Sequence, residues 1–159
     1  MPETRTKHFA NIEYDEAAVL KFPAGLPAFD DQRRFLLIEP AATAPIVFLQ
    51  SLDDEQVCLP AVPVRAVDPD YELELNPDDL DALEVDPSEA LTKGGSLGCL
   101  AVIAAPDDGP VTANLAAPVV INFSAKRAVQ AVRGDTRYSF ARPIVPAAAP
   151  VKPEEVSCW

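Results

Sequence analysis

The chain has 159 residues, which is near the usual size of one domain, and 48% of them are hydrophobic. Its 25 acidic residues against 13 basic ones give a formal charge of −12, which disfavours direct binding to nucleic acid or anionic lipid. Its three cysteines form no C-x-x-C pair, and neither a signal-peptide core nor a membrane-spanning apolar run is present, so we expect a soluble cytoplasmic protein.

Prolines divide the N-terminal part of the chain into short segments. The sequence holds 17 prolines and only 6 glycines, which argues against long helices and favours short strands. Two candidate strands, His8–Tyr14 and Ala18–Phe22, are predicted to form an opening hairpin. The next residues, Phe22–Pro27, are predicted to form a turn in which Gly25 supplies a positive φ.

Three further strands are predicted in the first half of the chain. Phe35–Ile38 and Ile46–Leu52 are apolar runs bounded by proline or acidic residues, which is typical of buried strands. Val57–Val64 contains Pro60 and Pro63, neither of which can donate a hydrogen bond to a neighbouring strand. We therefore expect this strand to lie at a sheet edge or to carry a bulge.

An alternating segment and a helix follow. Tyr71–Leu75 alternates apolar side chains with carboxylates, which predicts a strand with one face in water. Asn76 is a good N-cap, Pro77 suits the first helical position, and the acids that follow favour the positive end of a helix dipole. One short helix is therefore predicted to run to about Leu83, before Pro87, and to cover the sheet.

The last predicted elements are strands. Ser96–Ala105 is typical of a buried strand, while Val119–Phe123 and Arg127–Val132 are predicted to pair as a hairpin across a tight turn at residues 124–126. From Ala147 onward, alanine, proline and charged residues dominate, which predicts a flexible tail. These elements indicate a mainly β fold with one short helix.

Residues typical of catalysis are scarce. The single histidine, His8, has no acid or nucleophile near it in sequence, and neither a nucleophile elbow nor a phosphate-binding loop occurs. The cluster Asp53-Asp54-Glu55 defines an alternative function, a carboxylate- or metal-dependent hydrolase. Adjacent acids in turns are more often solvated caps, so we expect no enzyme, no metal and no cofactor.

Charge is distributed unevenly along the chain. Residues 66–92 contain ten acids and no lysine or arginine, whereas residues 120–152 contain six bases and one acid. This asymmetry predicts a dipolar molecule whose negative face attracts a basic protein. A merely solvated strand-and-helix surface is the alternative.

Three motifs, taken in order, resemble those of a known family. They are Phe22-Pro-Ala-Gly-Leu-Pro-Ala-Phe29, Phe48-Leu-Gln-Ser-Leu52 before an acidic turn, and Thr112-Ala-Asn-Leu-Ala-Ala-Pro-Val-Val-Ile-Asn122. Supporting features are Asp68-Pro-Asp-Tyr-Glu-Leu-Glu-Leu75 with the acidic helix, and Tyr138-Ser139. From roughly Lys7 to Pro143 the chain resembles the flagellar assembly factor FliW family.

The resemblance implies a single antiparallel β-barrel-like domain, residues 1–146, followed by a Pro/Ala-rich tail, residues 147–159. It also implies a non-catalytic protein that binds flagellin as a chaperone. The same protein would bind and antagonise the translational regulator CsrA and so relieve repression of flagellin synthesis. We expect a monomer with these two partners and no nucleic-acid or membrane partner; a self-associating export or scaffold subunit is a further alternative.

The expected partner contacts combine one strand with the acidic stretch. The candidate residues are Phe48, Leu49, Gln50, Leu52, Asp70, Glu72, Glu74, Asp78, Asp79, Asn114 and Asn122. Apolar strand residues suit an amphipathic flagellin segment, and carboxylates suit a basic RNA-binding regulator. For Asn114 and Asn122 we favour the alternative that each side chain satisfies backbone groups of a turn or strand end.

Overall fold

The computed structural model describes residues 3–6, 11–23, 25, 31–85, 97–105, 110–132 and 137–144. The strands in these residues are β1 (Glu3–Arg5), β2 (Asn11–Glu13), β3 (Leu20–Lys21), β4 (Arg34–Ile38), β5 (Val47–Ser51), β6 (Cys58–Pro63), β7 (Leu97–Ala104), β8 (Thr112–Ala113), β9 (Val119–Asn122), β10 (Arg127–Gln130) and β11 (Arg142–Pro143). The α-helices are α1 (Val64–Val67) and α2 (Pro77–Leu83). No helix in these ranges combines the length and the apolar character that a membrane crossing requires.

Seven strands close into a barrel in the order β3-β4-β5-β6-β7-β9-β10. The ring is completed where β10 pairs with β3 through Arg127 opposite Lys21, and this closing pair is parallel. All other neighbours in the ring are antiparallel. The predicted mainly β, antiparallel barrel-like domain is therefore confirmed, with α1 as a second helix that the sequence pattern did not indicate.

The barrel interior is filled by large apolar side chains. The rings of Phe22 and Phe35 meet edge to face there, with centroids 5.0 Å apart. Along β9, Val119 and Ile121 belong to this interior cluster, whereas Val120 belongs to a second cluster outside the barrel. Since β9 is buried on both faces, other parts of the chain must cover the barrel at this strand.

β6 lies inside the sheet, which corrects the edge or bulge predicted from Pro60 and Pro63. Its pairing with β5 covers residues 58–61, whereas its pairing with β7 covers residues 61–63. The two ladders overlap only at Ala61, so each proline lies where the strand is paired on one side. This stagger allows an interior strand to contain residues that lack an N–H group.

The opening strands pair differently from the predicted hairpin. β2 pairs with β1, whereas β3 pairs with β4 and β10 and places Leu20 in the barrel interior. Gly25 has a φ of 68°, as the predicted turn requires. His8, the rest of that turn at residues 24, 26 and 27, and the predicted tail at residues 147–159 lie outside the described residues.

The remaining strand predictions are confirmed within one residue for β4, β5 and β7. The predicted C-terminal hairpin is also present, since β9 pairs with β10 from Asn122 opposite Arg127 to Val119 opposite Gln130. The turn between them contains Lys126 with a φ of 55°.

Residues 68–75 run along the outside of the barrel without joining a sheet, which corrects the predicted strand at Tyr71–Leu75. Its alternation is nevertheless real, because Tyr71 is buried, Leu73 and Leu75 are half-buried, and the glutamates between them are exposed. The segment is fixed by side chains: the Tyr71 hydroxyl donates to the Leu115 carbonyl at 2.7 Å. Side-chain burial therefore produced a strand-like pattern without a ladder.

α2 begins and ends where the sequence predicts. The Asn76 side chain accepts from the Asp79 N–H at 2.8 Å, and the Asp79 carboxylate accepts from the Asn76 N–H at 3.4 Å, which forms a capping box. The helix ends at Leu83, and Glu84 follows in the left-handed conformation with a φ of 55°. Fully buried Leu83 packs with Val120 on the outer face of the barrel.

Candidate functional site

Residues 68–84, here called the acidic segment, present carboxylates to solvent along the barrel. The apolar residues between them face the barrel, so the alternating carboxylates must point outward. The exposed members are Asp70, Glu72, Glu74, Asp78, Asp81 and Glu84. Two further acids of this stretch, Asp86 and Glu89, lie outside the described residues. Within the described residues, no other stretch of this length carries as many charges of one sign.

Asp79 differs from its neighbours because it is half-buried in the capping box. Burial raises the pKa of Asp79 above its ordinary value, the hydrogen bond from the Asn76 N–H opposes this rise, and the charge of Asp78 adds to it. The carboxylate therefore helps to fix the start of α2, and it offers less surface to a partner than Asp78 does.

Basic residues from the C-terminal part of the chain pair with the acidic segment. The pairs are Arg127 with Glu84 at 2.8 Å, Arg137 with Glu72 at 2.8 Å, and Arg142 with Asp68 at 3.8 Å. The prediction of two separate charged faces is wrong for these residues, since opposite charges far apart in sequence lie side by side. Part of the negative charge is therefore balanced within the molecule.

Two tyrosines support one of these pairs. The rings of Tyr71 and Tyr138 lie with centroids 4.3 Å apart, and the Arg137 guanidinium lies 5.3 Å from the centroid of the Tyr138 ring. The Glu72 N–H donates to the Tyr138 hydroxyl at 3.0 Å. This arrangement joins residues 137 and 138 to the acidic segment through charge, ring contact and hydrogen bonding together.

The candidate contacts on β5 are buried, which corrects the expectation that they form a surface. Leu49 lies in the barrel interior, and Phe48 packs with Cys58 in a small cluster. Gln50 is fully buried, and its amide nitrogen donates to the carbonyls of Ser51, Glu55 and Val57 at 3.0, 3.1 and 3.3 Å. Every residue of β5 is covered on both faces, so these side chains stabilise the fold.

Leu52 differs from the other β5 candidates. It follows the end of the strand and is half-buried, so part of its side chain is accessible. Its N–H donates to the Arg34 carbonyl at 2.8 Å, which fixes its position beside β4.

The two candidate asparagines satisfy backbone groups, as the favoured alternative predicted. The Asn114 side chain accepts from the N–H groups of Ala116 and Ala117 at 3.1 and 3.0 Å. The Asn122 amide donates to the Leu83 carbonyl at 2.8 Å, and its oxygen accepts from the Ser124 N–H at 3.2 Å. These bonds account for both side chains structurally.

Two acids of the hydrolase alternative, Asp53 and Asp54, bind backbone N–H groups. Asp53 accepts from the N–H groups of Arg33 and Arg34 at 2.8 and 3.1 Å, and Asp54 accepts from the Gln56 N–H at 2.9 Å. In the part of the chain that the structure describes, no three His, Cys, Asp or Glu side chains lie together as ligands for a metal ion. The hydrolase alternative is therefore not supported.

The geometry defines a class of protein: a small closed β-barrel with an acidic segment packed along its outer face. The family model described as FliW protein matches residues 3–144. The chain therefore belongs to the FliW family of flagellar assembly factors, as its motifs indicated.

Similar proteins agree with this assignment. The flagellar assembly factor FliW of Thermosipho africanus is 33% identical over 129 residues, covering 80% of this chain and 85% of the relative. FliW of Thermotoga maritima is 32% identical over 127 residues, covering 80% and 83%. A crystal structure of the flagellar assembly factor FliW shares the fold with a TM-score of 0.80 at 24% identity, covering 91% of this chain and 98% of that one.

The arginines that pair with the acidic segment were not predicted from the sequence. Their positive charge was visible in the sequence, but their partners lie between 43 and 74 residues away along the chain. The clearest available signal was the pair of tyrosines, Tyr71 and Tyr138, each of which stands next to one member of the Glu72–Arg137 pair.

Proposed function

We propose that this protein is a non-catalytic flagellar assembly factor that binds flagellin as a chaperone in the cytoplasm. It also binds the translational regulator CsrA and antagonises it, which relieves repression of flagellin synthesis. It acts as a monomer and needs no cofactor. The observation that carries this proposal is the family match over residues 3–144, a range that includes every described residue.

The acidic segment is the proposed contact for CsrA. Carboxylates on a surface favour an RNA-binding partner whose own surface must be positively charged to hold phosphate. Asp70, Glu72, Glu74 and Asp78 are exposed, so they are accessible to such a partner. The Glu72 carboxylate also pairs with Arg137. Charges of this kind chiefly increase the rate of association and the selectivity for a basic partner.

The proposed contact for flagellin is apolar. Because Phe48, Leu49 and Gln50 are buried, Leu52 is the β5 candidate that keeps accessible surface. Phe140 adds an apolar side chain that is 77% exposed, an unusual exposure for a residue of this size. An amphipathic segment of flagellin would cover such side chains on binding.

The test is isothermal titration calorimetry of the purified chain with flagellin and, in a separate experiment, with CsrA. We expect a saturable one-to-one complex with each protein. Circular dichroism on the same sample shows that the chain is folded. If folded protein binds neither partner at tens of micromolar, the proposed function is wrong.

A further inference from the structure

The segment of residues 137–144, here called the C-terminal arm, is held on the barrel by its backbone. The Leu115 N–H donates to the Ser139 carbonyl at 2.9 Å, and the Ile144 N–H donates to the Val111 carbonyl at 2.9 Å. β11, which belongs to the arm, pairs with β8. These contacts fix the arm without using the charged groups of its two arginines.

The charged groups of Arg137 and Arg142 make further contacts that the position of the C-terminal arm does not depend on. Both lie at the surface, with side-chain exposures of 51% and 47%, and their partners Glu72 and Asp68 are 71% and 22% exposed. Ion pairs in water contribute little to folding, because solvent competes with each charge. A second cation can therefore replace either arginine while the arm itself stays in place.

We infer that Arg137 and Arg142 form an autoinhibitory contact on the acidic segment. This inference rests on the proposed binding of CsrA to that segment. The two guanidinium groups lie beside the Glu72 and Asp68 carboxylates, so a basic partner competes with them for these charges. Arg137 is the better held of the two arginines, because it contacts both the Glu72 carboxylate and the Tyr138 ring.

The physical consequence is a binding surface whose affinity is lowered by the protein itself. Each displaced arginine returns to water, and this cost is subtracted from the free energy that the partner gains. A partner with few or poorly placed cations gains less free energy than the displacement of the arginines costs, so it does not bind. The contact therefore increases selectivity as well as lowering affinity. The contact also makes partner binding sensitive to any change that weakens the two internal ion pairs.

The test compares two double variants of equal charge. Arg137→Gln/Arg142→Gln removes the internal competitors, whereas Arg33→Gln/Arg34→Gln removes two arginines from another part of the surface, one of them paired with Glu16 at 3.3 Å. Calorimetry with CsrA is expected to show about fivefold tighter binding for the first variant than for the control, because two ion pairs at the surface no longer compete with the partner. An equal affinity of the two variants, or weaker binding by the first, overturns the inference.

A second probe separates this inference from the proposed function. If CsrA binds none of the proteins, the proposed binding of CsrA fails, and a tetra-arginine peptide then tests the contact by NMR titration of the backbone amides of residues 68 and 70–74. The inference predicts tighter peptide binding by Arg137→Gln/Arg142→Gln than by the control, and it fails if the control binds as tightly or neither binds. Should the double variant not fold, the single variants Arg137→Gln and Arg142→Gln replace it, each with about half the effect on a logarithmic scale.

Discussion

The side-chain amide of Asn122 donates to the main-chain carbonyl of Leu83 at 2.8 Å, which ties the last turn of α2 to the end of β9. The last carbonyls of a helix have no partner within the helix, so this bond satisfies one of them in a buried position. The same asparagine also holds the turn that leads into β10, through its oxygen and the Ser124 N–H. One side chain thus connects the acidic helix with the hairpin that closes the barrel.

We expect Asn122→Ala to destabilise the fold by about 1–3 kcal/mol, because it leaves a buried carbonyl and a turn N–H without their partners. Urea unfolding measures the loss. Asn122→Asp keeps an oxygen for the turn N–H but buries a carboxylate against the Leu83 carbonyl, so it should destabilise the fold at least as much as Asn122→Ala. An Asn122→Ala protein as stable as the parent would show that the bond does not hold α2 in place.

Substitution of Gln50 tests whether this β5 residue stabilises the fold or contacts a partner. Gln50→Leu keeps an apolar stem of similar size but removes the donor shared by three carbonyls, so we expect a loss of about 1–3 kcal/mol in the free energy of unfolding. Gln56→Leu, at an exposed position nearby, should change it by less than about 0.5 kcal/mol. If Gln50→Leu instead abolished partner binding without loss of stability, the surface role first expected for Gln50 would be restored.

Gly98 and Phe123 form a close contact that a double-mutant cycle can measure. A Cβ atom on Gly98 would lie 2.7 Å from Cε2 of Phe123, so Gly98→Ala must push the aromatic ring away. We expect Gly98→Ala to cost about 1 kcal/mol in the parent and less in a Phe123→Ala background, where the ring is absent. Urea unfolding of the four proteins gives the coupling, and an equal cost in both backgrounds would exclude the clash.

The raised pKa of Asp79 predicts a dependence of stability on pH. The folded protein holds the Asp79 proton more tightly than the unfolded chain does, so stability falls as pH rises from the ordinary value of 3.8 through the raised pKa. Asp79→Asn cannot lose a proton, so its stability relative to the parent should increase across this window and become constant above it. Urea unfolding from about pH 3 to pH 7 measures the difference. A difference that decreases with pH would mean that the pKa is lowered instead.

Much of the local structure follows from patterns that act over a few residues. The cap at Asn76, the positive φ at Gly25 and the bounds of β4, β5 and β7 depend on neighbours in sequence, and these predictions are confirmed. The alternation of Tyr71–Leu75 was also real, but alternation reports burial of one face. It does not report hydrogen bonding to another strand, so the sequence could not exclude a side-chain anchored segment.

The candidate site was harder to predict because it depends on contacts distant in sequence. The barrel interior buries one face of β5, and other parts of the chain cover its outer face. Phe48 and Gln50 are therefore core residues, although the motif that contains them was expected to contact a partner. Likewise, the number of acids was visible in the sequence, but the pairing of Glu72 with Arg137 arises only when the chain folds. The composition predicted that the surface carries net negative charge. It could not predict which carboxylates remain accessible to a partner.

The central claim, that the acidic segment steers a basic regulator to this protein, is tested most directly by the rate of association with CsrA. Stopped-flow measurements at several salt concentrations compare Asp70→Lys/Asp78→Lys with Asp31→Lys/Glu39→Lys, which makes the same change in net charge at exposed residues outside the segment. We predict that the first variant associates about tenfold more slowly at low salt than the control and shows a weaker dependence on salt. Equal association rates and equal salt dependence for the two variants would contradict the account.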